Sequence, residues 1–240
     1  MPVRKVSNWG GNITGSFPSI KMEPFEIDYE STIERDLLPF LEFDPTVIEY
    51  YAQPMVISST NTDEETHKYT PDFLVLRTCG KEIIECKPED LLDHQHTLQQ
   101  IQIGQDWANA NSHDFVMVTD TDLYKDHTLA NLKLFWRYAR LKVPTAMVAT
   151  CIAHLKMCLE ALSFEDLTIY LSSLPDAQGT KNPFEQAPFI YSMLFRRVLQ
   201  VDLTSPITST SMIRLSSSKD SVQVRSYTSK PPNHNSCRRF

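Results

Sequence analysis

Three charged side chains have the types and spacing that phosphodiester hydrolysis requires. Pro71-Asp72 is followed, after twelve intervening residues, by Glu85-Cys86-Lys87, which matches the pattern P-D-x(n)-[D/E]-x-K. Magnesium in proteins is usually held by one or two carboxylates together with water and phosphate oxygens. The ion polarises a phosphate and lowers the pKa of bound water, while a lysine can orient or help deprotonate that water and offset negative charge. Asp72, Glu85 and Lys87 are therefore candidate catalytic residues, with both carboxylates as metal ligands, although such short motifs also occur by chance on exposed strands.

The local sequence predicts that these three side chains share one face of a hairpin. Two β-rich runs flank Cys79-Gly80, and glycine at such a turn is typical of a hairpin. With Cys79 and Gly80 as the loop, Asp72 lies opposite Lys87. Strand side chains alternate between faces, so Glu85, two residues before Lys87, projects from the same face as both.

A further carboxylate precedes the hairpin on a predicted helix that starts at Tyr29 to Ser31 and ends near Phe43. Ser31 fits the N-cap position, and Glu34 completes a capping-box pattern. Pro39 should bend or interrupt this helix. Glu34 could add a ligand to the metal, but taken alone it is better explained as a surface capping residue.

The remaining pattern of the first half predicts an α/β sheet. Two short strand-like pieces are broken at Pro54, a helix is predicted over Leu91 to Ala110, and Asp114 to Thr119 is a buried-strand run. A strand–helix–strand unit of this length favours a parallel connection.

The second half is predicted to be mostly helical after His127. Four helices are expected, over Leu129 to Leu141, Thr145 to Ala161, Phe164 to Leu171 and Phe184 to Val201. A β-hairpin with Ser205-Pro206 at its turn should follow Val201. Helices followed by a hairpin are typical of a winged-helix module.

These elements predict two domains and a tail. Residues 1–126 form the catalytic domain, residues 127–213 form a winged-helix-like α+β domain, and residues 214–240 form a flexible basic tail rich in Ser, Pro, Lys and Arg. A chain of 240 residues has room for two such domains.

Charge is distributed unevenly along the chain, whose net charge is −7. Residues 22–126 carry 23 acidic and 6 basic residues, a net charge of −17, whereas residues 214–240 carry 6 basic and 1 acidic residue. Proteins that bind the phosphate backbone on their own usually present a basic surface. If the acidic segment cuts DNA, metal ions and partner proteins are expected to bring the DNA to it.

Other potential sites are weaker. The five cysteines contain no C-x-x-C pair, so no zinc site is predicted. His94 and His96 lie two apart on a predicted helix and should face different directions, as surface residues. No apolar run is long enough to span a membrane, and the N-terminus lacks the apolar core of a secretory signal. A soluble, cytoplasmic protein is therefore expected.

Several short runs, in this order and spacing, resemble the TnsA family, the endonuclease subunit of heteromeric cut-and-paste transposases. The runs are F-P-S-I-K (Phe17 to Lys21), Y-E-S-T-I-E-R-D (Tyr29 to Asp36), L-E-F-D-P (Leu41 to Pro45), Q-P (Gln53-Pro54), Y-T-P-D-F-L-V (Tyr69 to Val75), I-E-C-K (Ile84 to Lys87) and V-T-D (Val118 to Asp120). The resemblance covers roughly residues 15–213 and is looser in the second half.

The resemblance implies a restriction-endonuclease-like fold of the PD-(D/E)xK type, a mixed sheet flanked by helices. It implies a catalytic set of Glu34, Asp72, Glu85 and Lys87, with the three carboxylates as ligands of Mg²⁺, for which Mn²⁺ can substitute. The family's best-known member has glutamine two residues before the lysine, where this chain has Glu85, so the preferred metal and the number of ions stay open.

The implied reaction is cleavage at the 5′ ends of a transposon. A DDE-type transposase, TnsB, cuts and joins the 3′ ends, and an AAA+ regulator, TnsC, couples the complex to target selection, with the C-terminal region as a docking segment. Two alternatives stay open: a stand-alone restriction or repair nuclease, and a catalytically silent assembly factor that bridges DNA and other transposition proteins.

Overall fold

The computed structural model describes residues 13–22, 26–60, 66–158, 161–174 and 182–216. Its strands are β1 (Gly15–Pro18), β2 (Glu26–Tyr29), β3 (Val47–Ala52), β4 (Ile57–Thr60), β5 (Thr66–Tyr69), β6 (Phe73–Arg77), β7 (Gly80–Lys87), β8 (Asp114–Thr119), β9 (Leu162–Ser163), β10 (Leu199–Gln200) and β11 (Met212–Leu215). Its helices are α1 (Thr32–Phe43), α2 (Gln95–Ala110), α3 (Asp120–Tyr124), α4 (Thr128–Trp136), α5 (Thr145–Met157), α6 (Phe164–Ser172) and α7 (Ala187–Phe195), and short 3-10 turns cover Glu89–Leu91 and Pro183–Gln186.

The contacts divide these elements into two compact units, the first ending at Lys125 and the second beginning at Asp126. The predicted division into domains of residues 1–126 and 127–213 stays a prediction, because compact contacts do not show independent folding. Strand β11 extends past residue 213, so the first residues of the predicted tail belong to a strand. Residues 217–240 lie outside the described residues.

The first unit is built on a four-stranded mixed sheet with the order β3-β6-β7-β8. Strands β3, β6 and β7 are antiparallel, while β7 and β8 run parallel and are joined through α2. The predicted parallel connection and the mixed α/β sheet are therefore confirmed. Helix α1 contacts β3 and β7, and α2 contacts β7 and β8. Strand β7 is buried through most of its length because it lies in the middle of the sheet, with a strand on each side.

The hairpin has a different register from the predicted one. Gly80 pairs with Arg77, so Thr78 and Cys79 form the turn, and Phe73 pairs with Ile84. The whole ladder is shifted by two residues, which brings Asp72 level with Glu85 instead of Lys87. Because strand side chains alternate with period two, a two-residue shift keeps Asp72 and Glu85 on the same face. The predicted pairing was wrong, and the predicted face was right.

Helix α1 starts where the sequence predicts it. Ser31 is the N-cap, and its hydroxyl accepts a hydrogen bond from the backbone N–H of Glu34. The reciprocal half of the capping box is absent, since the Glu34 carboxylate accepts from the backbone of Glu30 instead. Pro39 does not interrupt the helix, which continues to Phe43. Almost every residue of α1 after its first turn is buried, and this packing offsets the hydrogen bond that proline cannot donate.

The end of α1 is fixed by a group that we call the Glu42 cluster: the side chains of Ser19, Glu42 and Tyr50 with the backbone N–H of Ile20. The Glu42 carboxylate accepts hydrogen bonds from the Ser19 hydroxyl, from the Ile20 N–H, and from the Tyr50 hydroxyl at 2.6 Å. Next to it, the Lys21 ammonium donates to carbonyl oxygens at the C-terminal end of the helix. This lysine satisfies carbonyls that have no partner within the helix.

The second unit contains helices α4 to α7 and a three-stranded antiparallel sheet with the order β10-β11-β9. Helices predicted to end at Leu141 and Ala161 end earlier, at Trp136 and Met157. The last predicted helix ends at Phe195, and the first strand of the hairpin lies at Leu199–Gln200, before the predicted position. The predicted turn at Ser205-Pro206 falls within a long connection between β10 and β11.

None of the helices in the described ranges is long and apolar enough to cross a membrane.

Candidate active site

The four predicted site residues come from three elements of the first unit. Asp72 immediately precedes β6, Glu85 and Lys87 end β7, and Glu34 lies in the first turn of α1. Glu85 and Glu34 lie close enough to Asp72 for repulsion between the carboxylates to raise the pKa of Asp72. The structure therefore brings together all four residues, and their catalytic role is a proposal that the geometry supports.

Glu85 is the most completely bonded member of the site. Its Oε1 lies 2.9 Å from the Nζ of Lys87, and its Oε2 accepts a hydrogen bond from the Tyr69 hydroxyl at 2.8 Å. The Glu85 side chain is only 2% exposed, whereas that of Lys87 is 26% exposed. The ammonium is thus the part of the ion pair that solvent, or a phosphate, can reach.

Asp72 is held through both its backbone and its side chain. Its carboxylate Oδ2 accepts a hydrogen bond from the backbone N–H of Cys86 at 2.7 Å, and its carbonyl oxygen accepts one from the N–H of Gln53 at 2.8 Å. Gln53 has a positive φ of 44°, a conformation that few residues other than glycine adopt. Backbone strain of this kind is concentrated at functional sites. Asp72 itself remains partly exposed.

Glu34 points into the same region from α1. It is buried, with 6% exposure, so it is not the surface capping residue that was the alternative interpretation. Its Oε2 accepts a hydrogen bond from the N–H of Glu30 at 2.8 Å. The placement of Ser31 as N-cap fixes the first turn of the helix and, with it, the direction in which Glu34 points.

The site is electrostatically unbalanced. Desolvation raises the pKa of Asp72 well above its ordinary value, and repulsion from Glu85 and Glu34 raises it further. Burial also raises the pKa of Glu34 and that of Glu85, although Lys87 and Tyr69 partly counteract the shift at Glu85. Desolvation lowers the pKa of Lys87, but the ion pair with Glu85 more than offsets this effect, and the pKa is raised. The Lys87 ammonium is paired with Glu85 and also lowers the pKa of Asp72, so one positive charge accompanies a site with three carboxyl groups.

The donor set fits a hard cation such as magnesium, which prefers carboxylate and water oxygens. No three His, Cys, Asp or Glu side chains within the described ranges converge closely enough to hold an ion as they stand. In this arrangement Glu85 is paired with Lys87, and Glu34 and Asp72 each accept from backbone N–H groups. Magnesium commonly keeps several waters and takes only one or two carboxylates, so Asp72 and Glu85 are the residues that could hold such an ion.

Sequence reasoning missed Tyr69 as part of the site. The residue opens the Y-T-P-D run, which in the sequence indicates only the family resemblance. It belongs to β5, which pairs with β4 outside the four-stranded sheet. A tyrosine three residues before the aspartate was the available signal, but only the fold shows that its hydroxyl reaches Glu85.

The weaker candidates are placed as follows in the described part of the chain. His94 and His96 are exposed at the start of α2, as predicted. Arg196, a basic residue near the end of the last predicted helix that could have contacted phosphate, donates from its guanidinium to backbone carbonyl oxygens of residues 139 and 141, so it contributes to the packing of the second unit. The basic residues of the predicted tail beyond residue 216 lie outside the described part of the chain.

Comparison with known proteins gives one family match. Residues 44–120 match the family model described as the TnsA-like endonuclease N-terminal domain. The matched range contains Asp72, Glu85 and Lys87, and Glu34 precedes it. No curated protein matches the chain.

Proposed function

Since this chain belongs to the TnsA family through its endonuclease domain, we propose that it is the nuclease of a transposition machine and that it cuts DNA at the 5′ ends of the transposon with the help of magnesium. The observation that carries the proposal is the grouping of Glu34, Asp72, Glu85 and Lys87 at one end of the β6–β7 hairpin. The TnsA-like domain implies a nuclease that works in a transposase complex with DNA. The metal, the strand and the named partners are parts of the proposal.

Asp72 and Glu85 would hold the metal ion, and Glu34 would bind it directly or through water. Bound magnesium or manganese supplies polarisation of the phosphate and a lowered pKa for a coordinated water. Lys87 is the only member of the site with donors to spare, and its partly exposed ammonium can move from Glu85 to a phosphate oxygen or to the attacking water.

The proposed reaction balances as a simple hydrolysis. The water oxygen forms a bond to phosphorus, and the bond between phosphorus and the 3′ oxygen breaks. The proton from water ends on that 3′ oxygen, so the products are a 3′-hydroxyl and a 5′-phosphate. Charge builds on the phosphate during this step, and the partly exposed ammonium of Lys87 would offset that charge.

The partners follow from the family and from charge. A DDE-type transposase, TnsB, would process the 3′ ends, and an AAA+ regulator, TnsC, would dock through the C-terminal region. The net charge of −17 over residues 22–126 supports dependence on partners, because an acidic nuclease attracts the phosphate backbone weakly by itself. A transposition complex of this kind would act in the bacterial cytoplasm.

The second unit is proposed to be a winged-helix DNA-binding domain. Helices α5, α6 and α7 accompany a three-stranded antiparallel sheet, and a long connection joins β10 to β11 in the position of a wing. Residues 127–158 carry five Lys or Arg and no Asp or Glu. This basic stretch would supply the phosphate contacts that the nuclease unit lacks.

Strand-specific cleavage of a labelled transposon-end duplex tests the proposal. The protein would be incubated with magnesium, alone and with its DDE-type partner, beside the Asp72→Ala variant. We expect nicking of the 5′-terminated strand that requires both the partner and magnesium and disappears in the variant.

Each deviation from this result points to a different interpretation. Cleavage that is unchanged in Asp72→Ala would show that the active site lies elsewhere. Robust cleavage without a partner would favour a stand-alone restriction or repair nuclease. Assembly of the complex without any cleavage by this chain would favour a structural role.

A further inference from the structure

Tyr69 is a buried side chain that the proposed hydrolysis does not use. It is 1% exposed, and its hydroxyl donates a 2.8 Å hydrogen bond to Oε2 of Glu85. The other carboxylate oxygen of Glu85 is paired with Lys87. The two oxygens therefore have two different donors, one buried and neutral, the other partly exposed and charged.

The two donors differ in how easily they can leave. Lys87 reaches solvent, and its flexible side chain can exchange Glu85 for another acceptor. Tyr69 is rigid, with an aromatic ring packed in a hydrophobic cluster that includes Ile57, Ile83 and Ile103. When Lys87 releases Oε1 to a cation, the Tyr69 hydroxyl stays on Oε2.

The surrounding chain fixes the position of the Tyr69 ring. Strand β5 pairs with β4, which places Tyr69 opposite Ile57. Helix α2 also approaches the ring closely at Gly104, where an added Cβ would lie 3.0 Å from the Tyr69 ring and would overlap the ring of Phe115. Only a residue without a side chain permits this approach, so the helix holds the ring against the sheet.

We infer that Tyr69 is a positioning residue that fixes the Glu85 carboxylate for metal binding while Lys87 is free to move to the substrate. This inference rests on the proposed function, because it assumes that Glu85 is a metal ligand. Partners that orient a ligating carboxylate typically contribute 10–100-fold to metal affinity or activity. Tyr69 touches neither the metal nor the DNA in this role.

The test measures Mn²⁺ binding by calorimetry, with Mn²⁺ as the probe, in the full-length protein and in Tyr69→Phe. The variant keeps the ring and removes only the hydroxyl. We expect its Mn²⁺ affinity to fall about 10–100-fold, and its cleavage to recover in part at high Mn²⁺ concentration. A variant that merely loosened the fold would not show a deficit that added metal repairs.

Tyr50→Phe is the matched control. Tyr50 is also buried, and its hydroxyl also donates to a buried glutamate, Glu42, at 2.6 Å. It lies in the Glu42 cluster, where its hydroxyl donates to Glu42 and not to Glu34, Asp72 or Glu85. We expect this control to bind Mn²⁺ like the wild type, even where its thermal unfolding temperature falls.

A second comparison shows whether Tyr69 acts through Glu85. In a Glu85→Ala background, Tyr69→Phe should cause no further loss of Mn²⁺ affinity, because the group that it orients is gone. A further loss of Mn²⁺ affinity in the Glu85→Ala background would contradict the positioning role, and so would equal affinity in Tyr69→Phe and the wild type. Either result would leave the proposed metal site standing. Failure of the wild type to bind Mn²⁺ at all would overturn the proposed metal site and this inference with it.

Discussion

Two buried glutamates in the first unit accept hydrogen bonds from buried tyrosines, but their surroundings differ. In the Glu42 cluster, Ser19, Tyr50 and the Ile20 N–H all donate to one carboxylate. At the candidate site, Glu85 also has a tyrosine, yet Asp72 and Glu34 add two more negative groups. The first arrangement is satisfied by its donors and holds α1 in place, whereas the second leaves excess negative charge that a cation would neutralise.

The difference teaches how to separate structural from functional carboxylates in this protein. Glu42 and Glu85 are both buried and hydrogen-bonded, so these two properties do not distinguish a structural carboxylate from a functional one. What distinguishes the site is the crowding of like charges around Asp72: desolvation raises the pKa of this carboxyl group, and repulsion from Glu85 and Glu34 raises it further. Substitutions in the two regions should therefore have opposite effects on activity and stability.

The largest expected effect is loss of cleavage in Asp72→Asn. Removal of a charged metal ligand should lower the rate of 5′-strand cleavage roughly 10³-fold or more, equivalent to about 4 kcal/mol in the barrier. The matched variant Glu42→Gln should cleave at the wild-type rate. Gel-based cleavage rates at saturating magnesium measure both, and a comparable loss in the two variants would erase the distinction between the regions.

The same Glu42→Gln variant should instead lose stability. A carboxylate that accepts several hydrogen bonds becomes a neutral amide with one acceptor oxygen, and hydrogen bonds to charged groups contribute about 1.5–3 kcal/mol each. Calorimetric unfolding should show a transition several degrees lower than that of the wild type, since each kcal/mol corresponds to about 2–4 °C at this size. An unchanged transition would mean that the cluster does not anchor the end of α1.

Gly104→Ala probes the packing behind Tyr69. The added methyl group would overlap the Phe115 ring and press on Tyr69, and overpacking of this kind costs about 1–3 kcal/mol. We expect a lower unfolding temperature together with weaker Mn²⁺ binding, because the ring that supports Glu85 is displaced. Gln102, which is exposed on the same helix, provides the control: Gln102→Gly should lower stability through the poor helix propensity of glycine, without a comparable change in Mn²⁺ affinity.

The sequence predicted the shared face of Asp72 and Glu85 better than it predicted the strand pairing that produces it. The alternation of strand side chains indicated the common face, and Ser31 was correctly predicted as the N-cap of α1. The turn was misplaced because glycine at position 80 suggested a loop residue, whereas Gly80 pairs with Arg77. The error did not affect the predicted face, since a shift of two residues preserves alternation.

Contacts between residues distant in the chain could not be predicted. Lys21 caps a helix that ends more than twenty residues later, and Tyr69 reaches Glu85 from a separate two-stranded sheet. No local periodicity encodes such contacts. The family-like runs contain both residues, but resemblance alone does not distinguish Lys21, which supports the fold, from Tyr69, which supports the site.

The smallest expected effect is a pH-dependent gain of stability in Asp72→Asn without metal. The pKa of Asp72 is raised in the folded protein, so the folded state binds this proton more tightly than the unfolded state does. The stability that depends on this proton is present below the ordinary carboxyl pKa and is lost as pH rises through the folded-state value. Asparagine carries no such proton and avoids the loss.

Thermal unfolding in a chelator should therefore show Asp72→Asn more stable than the wild type near about pH 8, by a few degrees, with the difference shrinking towards about pH 4. Added magnesium should stabilise the wild type more than the variant, because the ion neutralises the crowded carboxylates only where Asp72 is present. A variant that is less stable than the wild type at every pH would show that Asp72 supports the fold through its hydrogen bond from Cys86, and that charge crowding at the site is minor.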